Sequence, residues 1–206
     1  MVGGLLALAL FGVSAAGPLE DGNAAHQRGD YATAVRLLRP LADKGNAVAQ
    51  ISLGDMSDKG EGVPQDYSKA ATWYGKAANK GNADAQVRLG MMYYSGRNVP
   101  SLSQNFAKAA AWFRKAAYKG NAQAQMILGS MYEDGQGVPR DFVQAHMLFN
   151  LVASRQSSTK ESNPFCEYPT LGVVCSAASS RDAVAAEMTP AQIAEAQRLA
   201  SEWVPK

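Results

Sequence analysis

An all-α fold, built as a solenoid of stacked helix pairs, is what this sequence predicts, and three observations predict it. The heptapeptide Lys-Gly-Asn-Ala-x-Ala-Gln occurs three times, beginning at Lys44, Lys80 and Lys119, at intervals of 36 and 39 residues. Between these joints apolar residues recur every fourth position, which places them on one stripe of a helix. Eight Met and a high Ala content suit helix packed closely on helix. Repeats of this length mark architectures in which no unit shields its apolar side alone, so neighbours stack into one continuous core.

Residues 1–16 read as an export signal. Leu5 to Val13 form an apolar run too short to span a bilayer, and Ser14-Ala15-Ala16 supplies small residues for cleavage before Gly17. A buried first helix is disfavoured by Gly3, Gly4 and Gly12. No Cys follows the run, so lipid modification is not expected. Export predicts a periplasmic or secreted protein, in which Cys166 and Cys175 are free to pair.

The next element is a helix pair over residues 17–44, with Leu19 to Arg28 and Ala32 to Lys44 joined by Gly29-Asp30-Tyr31. Its loop is tighter than those that follow, as suits an N-terminal cap. Three longer units come next, over residues 45–80, 81–119 and 120–154. At each joint Lys44, Lys80 or Lys119 stands at the negative end of a helix dipole. Gly45, Gly81 or Gly120 then takes the left-handed C′ position, and Asn46, Asn82 or Asn121 caps the next helix.

In the first helix of each unit Ala49, Leu53 and Ser57 align with Ala85, Leu89 and Tyr93, and with Ala124, Leu128 and Tyr132. Gly54, Gly90 and Gly129 follow each Leu. A mid-helix Gly costs about 1 kcal/mol relative to Ala, so three aligned ones predict close contact with a partner backbone. Each helix should end at Gly60, Gly96 or Gly135, before a Val-Pro that holds the chain extended. The middle loop carries Asn98 in place of Gly and three extra residues around Ser101 to Ser103. The second helices carry Tyr67, Trp73 and Tyr74, then Phe106, Trp112 and Phe113, then Phe142, Leu148 and Phe149, each set alternating with Ala.

From Arg155 the pattern stops. Residues 155–179 are Ser-rich, contain Pro164 and Pro169, and read as an inserted loop holding the Cys pair. Helix resumes at Ser180, and Thr189-Pro190-Ala191-Gln192 starts a last helix with Thr as N-cap, Pro at the first position and Gln three residues on. Residues 180–206 are therefore C-terminal capping helices.

The pattern Ala-x-x-x-Leu-Gly-x-x-Tyr-x-x-Gly-x-Gly-Val-Pro-x-Asp-x-x-x-Ala, followed by Trp and Ala-Ala, resembles the Sel-1-like repeat family of the tetratricopeptide class. Residues 45–153 carry the resemblance, and Met188 to Arg198 look like the tail of exported bacterial members. Departures are Ser57 for Tyr, Asn98 for Gly, the missing Trp in the third unit and the Cys-bearing insertion. The resemblance implies a right-handed α–α superhelix that acts as an adaptor between proteins, often in the envelope, with no shared catalytic residue.

Other chemistry is weaker. The Gly-x-Gly loops follow helices rather than strands and lack a third Gly, so they are turns and not phosphate cradles. Ser157-x-x-Lys160 matches the serine motif of penicillin-recognising enzymes, but no Ser-Asp-Asn or Lys-Thr-Gly partner exists. Cys166 and Cys175 lack Cys-x-x-Cys spacing, which leaves a disulfide staple, stabilising by about 2–3 kcal/mol. His26 and His146 stand on different repeats and make no metal site. The charge is balanced, 20 Lys+Arg against 18 Asp+Glu, with no basic run that suggests nucleic acid.

What remains is the inner face. By the tetratricopeptide register it shows Val48, Ile51, Asp55 and Asp58, then Val87, Met91 and Tyr94, then Gln123, Met126, Ser130 and Glu133. Such a row suits an extended or helical peptide with apolar anchors and some positive charge. The sequence therefore predicts a monomeric, non-enzymatic scaffold for a protein or peptide partner. It needs no cofactor, binds no nucleic acid and keeps no membrane span after signal cleavage. The alternatives are a penicillin-recognising or cell-wall-directed hydrolase, and a periplasmic regulator of a membrane sensor.

Overall fold

The computed structural model describes residues 17–96, 104–156 and 177–205. The signal at residues 1–16, Asn98, Ser101 to Ser103, Ser157, Lys160, Cys166 and Cys175 lie outside these residues. Among the described residues there are ten helices and no strand. They are α1 (Pro18–Gln27), α2 (Tyr31–Asp43), α3 (Ala47–Lys59), α4 (Tyr67–Asn79), α5 (Ala83–Ser95), α6 (Phe106–Tyr118), α7 (Ala122–Asp134), α8 (Phe142–Gln156), α9 (Ala177–Ala186) and α10 (Pro190–Ser201). Helices pack in sequence order, α1 on α2, α2 on α3 and so on to α9, while α10 lies back against α8. The result is an all-α solenoid.

The joints form because each residue of the heptapeptide satisfies a backbone demand. Gly45, Gly81 and Gly120 have φ of 91°, 87° and 81°, in the left-handed region that favours glycine. The side chains of Asn46, Asn82 and Asn121 accept from the amides of Ala49, Ala85 and Ala124 at 3.0, 2.9 and 2.9 Å. Sequence reasoning assigned nothing to the closing Gln. In the structure Gln50, Gln86 and Gln125 are buried and donate through Nε2 to the carbonyls of Ala42, Ala78 and Ala117 at 2.9, 3.1 and 3.2 Å. Those carbonyls belong to the last turn of the preceding helix, and each accepts a second bond from the amide of Gly45, Gly81 or Gly120 at 2.9 Å. Two of the joints are also tied to residues further along the chain. Lys80 Nζ donates to the Gly45 carbonyl at 3.0 Å, and Arg155 Nη1 donates to the Gly120 carbonyl at 2.9 Å.

The mid-helix glycines do mark close approach, but to a ring and not to a backbone. A Cβ on Gly90 would stand 2.7 Å from Phe113 Cε1, and one on Gly129 would stand 2.5 Å from Phe149 Cε1. Gly54 meets Tyr74 in the same way. An aromatic ring from the second helix fills the notch in the first through Cδ1, Cε1 and Cζ, and so replaces the backbone contact that the glycines suggest. Phe113 and Phe149 are fully buried by this arrangement.

At the C-terminal end α9 is already helical at Ala177, three residues before the predicted start, and Ala177 packs into the core. α10 has the expected capping box. Thr189 Oγ1 accepts from the Gln192 amide at 3.3 Å, and Gln192 Oε1 accepts from the Thr189 amide at 2.9 Å. Beyond it Trp203 stacks on Tyr118, with ring centroids 4.9 Å apart and planes 1° from parallel.

Candidate functional site

A cleft of about 390 Å³ opens along the first helices α3, α5 and α7. Its floor is apolar, with Val87 and Met92 almost fully covered and Met91 half-buried. Asp58 and Lys59 stand on the α3 side, Asp84 and Arg88 on α5, and Gln123 on α7. On α5 the lining residues Asp84, Val87, Arg88, Met91 and Ser95 fall at i, i+3, i+4, i+7 and i+11, one stripe of a helix.

The charges around the cleft are arranged by three elements. Arg88 Nη1 reaches Asp55 Oδ1 at 2.9 Å, and the Tyr74 hydroxyl donates to the same oxygen at 2.6 Å. Burial pushes the Asp55 carboxyl above the usual carboxylate range, against the opposing pull of Tyr74 and Arg88. Burial, followed by the charge of Asp55, drives the Tyr74 phenol far above its ordinary value, so it remains a donor at every physiological pH. Lys59 Nζ lies 3.9 Å from Glu61 Oε1. Both cations of the cleft thus have a carboxylate beside them, and Asp84 accepts an amide bond from Asn121 Nδ2, at 3.0 Å. With Asp55 and Glu61 counted beside the lining, carboxylates outnumber the cations Lys59 and Arg88.

Of the predicted face, Asp58, Val87, Met91 and Gln123 line the cleft. Asp55 sits behind it, holding Arg88 and Tyr74. Ile51 is half-buried and packs against the cluster of Ala70, Tyr74 and Ala77. Three assignments need correction. Met126 is 1 % exposed and belongs to the core, so it contacts no ligand. The Tyr94 hydroxyl donates to Gln136 Oε1 at 2.8 Å and its ring meets Phe106 edge-on, which makes it a strut between units. Val48, 48 % exposed, is not among the lining residues. Ser130 and Glu133 are half-buried on α7, outside the lining; burial and then the neighbouring Asp134 raise the Glu133 carboxyl. Sequence reasoning missed Lys59, Asp84, Arg88 and Ser95, although the stripe through Val87 and Met91 contains the last three.

The two histidines are apart from the cleft. His26 Nε2 lies 2.7 Å from Glu61 Oε2, tying the first pair to the loop after α3. His146 is buried in a slot where the aligned residues are Ala71 and Ala110. Burial, with Arg181 nearby, pushes its imidazole below the usual range. Among the described residues no three His, Cys, Asp or Glu side chains are grouped to hold a metal ion, and no helix is long and apolar enough to cross a membrane.

Stacked helix pairs with one groove along the first helices define an α-helical repeat protein of the tetratricopeptide-like kind. More narrowly, the chain belongs to the Sel1 repeat family, whose model matches residues 14–46, 47–82, 83–121 and 122–157. The opening pair, read from sequence as a cap, is thus matched as the first of four units. A Sel1 repeat protein from Oxalobacter formigenes is similar in structure, with 35 % identity and a TM-score of 0.53, over 57 % of this chain and 86 % of that one. The c5321 protective antigen of uropathogenic Escherichia coli strains, which displays an SLR fold, is 26 % identical with a TM-score of 0.45, over 90 % of this chain and 44 % of that one. No curated protein sequence matches. Sel1 repeat proteins are typically scaffolds for protein interaction and generally not catalysts.

Proposed function

We propose that this protein is a non-catalytic scaffold of the bacterial envelope that holds a peptide segment of a partner in the cleft between α3, α5 and α7. One observation carries the reading: an apolar floor of Val87, Met91 and Met92 beneath a rim whose cations already have carboxylates beside them. That chemistry selects an aliphatic side chain next to a Lys or Arg, in an extended or helical segment. Location rests on residues 1–16, which would carry the chain across the inner membrane; a mature N-terminus at Gly17, read by mass spectrometry of periplasmic protein, tests it.

The cleft is tested by selecting peptides from a random display library on the purified protein. Enriched peptides should pair Lys or Arg with Leu, Ile, Met or Phe, and their affinity should fall at least tenfold in Asp84→Lys/Met91→Glu while thermal unfolding is little changed. Enrichment of acidic peptides, or binding indifferent to that double variant, would sink the assignment.

A further inference from the structure

We propose that the exposed side of α2, α4 and α6 is a docking face for an anionic lipid bilayer. The chain's near-neutral total, 20 Lys+Arg against 18 Asp+Glu, conceals a separation of charge between the two layers of helices. The first helices α1, α3, α5 and α7 hold seven carboxylates against two cations, Lys59 and Arg88. The second helices α2, α4 and α6 hold seven cations against one carboxylate, Asp43. Six of those cations, Arg36, Arg39, Lys69, Lys76, Lys108 and Lys115, are exposed. Asp43 offsets Arg39 at 3.3 Å and the cap residue Asp66 offsets Lys69 at 3.2 Å, which leaves the face strongly positive.

The face is continuous. Arg39 of α2 and Lys76 of α4 lie 5.3 and 4.1 Å from the centroid of the same Trp73 ring. Lys115 of α6 lies 4.1 Å from the Trp112 ring, and Trp112 packs against the Ala70, Tyr74 and Ala77 cluster of α4. Each ring supports an aliphatic stem and holds the ammonium at the surface. The face ends where α10 covers α8.

A bilayer fits this face better than a protein does. Exposed positions between the cations are small, Ser68, Thr72, Ala107 and Ala111, and the cleft opens on the other layer of helices. Protein partners concentrate affinity in a few large side chains seated in pockets. A headgroup layer needs only cations held close to it, and attraction grows with their number. The carboxylates of the first helices are repelled by the same surface, so docking orients the cleft away from the lipid. This inference does not depend on what the cleft binds.

The test is co-sedimentation of the whole chain with vesicles of phosphatidylglycerol and phosphatidylcholine in equal parts, and with vesicles of phosphatidylcholine alone. Residues 1–16 are the same in every variant, so any contribution from them cancels. The wild-type chain should partition onto the mixed vesicles, release between 50 and about 500 mM salt as screening sets in, and ignore phosphatidylcholine. Lys76→Glu/Lys115→Glu should lose at least tenfold in partition. Arg36→Glu/Lys108→Glu, which disturbs no Trp contact, should lose a similar amount, and Asp84→Lys/Met91→Glu should lose nothing. Equal partition of the charge-reversed variants, or equal binding to phosphatidylcholine, overturns the proposal. So does soluble polyglutamate that binds the wild type as tightly as vesicles of matched charge, because the face would then serve an acidic protein.

Discussion

The seam between the first and second long units and the seam between the second and third are built on one backbone plan with opposite chemistry. In both, a ring from the second helix lies under a mid-helix glycine of the first. In the earlier unit the ring is Tyr74, and its hydroxyl is answered by Asp55 and then by Arg88 of the next unit. In the later units the rings are Phe113 and Phe149, and the aligned partners of Asp55 and Arg88 are Met91 or Ser130 and Ile127. Val87 and Met126 occupy equivalent positions and belong to one buried core cluster, but only Val87 also lines the cleft. A polar chain at a seam holds charged groups near the surface and leaves a groove above them. Ring burial fills the core of each unit, and the cleft lies beside the ring that carries a hydroxyl.

The comparison breaks most severely if the buried ring is removed. Phe113→Ala should cost about 3–5 kcal/mol, as large-to-small changes in a packed core do, measured by denaturant unfolding. A loss below about 1 kcal/mol would show that the later seam does not depend on its ring. Filling the notch comes next. Gly90→Ala gains helix propensity but presses Cβ into Phe113, so a net loss of about 1–3 kcal/mol is expected, with partial recovery in Gly90→Ala/Phe113→Leu. Stabilisation by Gly90→Ala alone would mean that the ring is not seated there.

Smaller effects sharpen the polar side. Tyr74→Phe leaves Asp55 without its hydroxyl donor and should cost about 1–2 kcal/mol. In an Asp55→Leu background the same change should cost much less, and equal costs in both backgrounds would deny the coupling. The smallest expected effect is on pH. The imidazole of His146 is depressed by burial, so the unfolded chain takes up a proton first as pH falls below about 6.5. Stability should therefore decline on acidification through that window and down to the lower folded value. His146→Ala, which restores the residue found at Ala71 and Ala110, should flatten that part of a Tm-against-pH curve. An unchanged slope would remove His146 from the account.

How much of this was legible depends on the scale of the interaction. The joints were readable because Lys-Gly-Asn meets backbone demands within a few residues. Gln50, Gln86 and Gln125 recur in the same motif, yet their role was hidden, because their acceptors lie eight residues back and become neighbours only when two helices fold together. The glycine notches announced a close contact but pointed to a backbone where a ring sits, since a small residue reports space and says nothing about what fills it. On the inner face, Asp84 and Arg88 flank Val87 and Met91 on one stripe of α5, while Met126 repeats the register position of Val87 one unit on and is covered all the same. A helical stripe admits neighbours at both i+3 and i+4, and only the packing of adjacent helices decides which of them is covered.

Sequence alone thus determined the repeat, its period and the caps, all of which follow from local backbone geometry and a 3.6-residue period, while the ring seated on each mid-helix glycine came only with the fold. Tertiary structure decided where the groove lies, that Asp55 is held by Tyr74 and Arg88, and that carboxylates and cations fall on different layers of helices. The reason is physical: a one-dimensional chain alternates its charges, and the separation exists only once first and second helices stack in two rows.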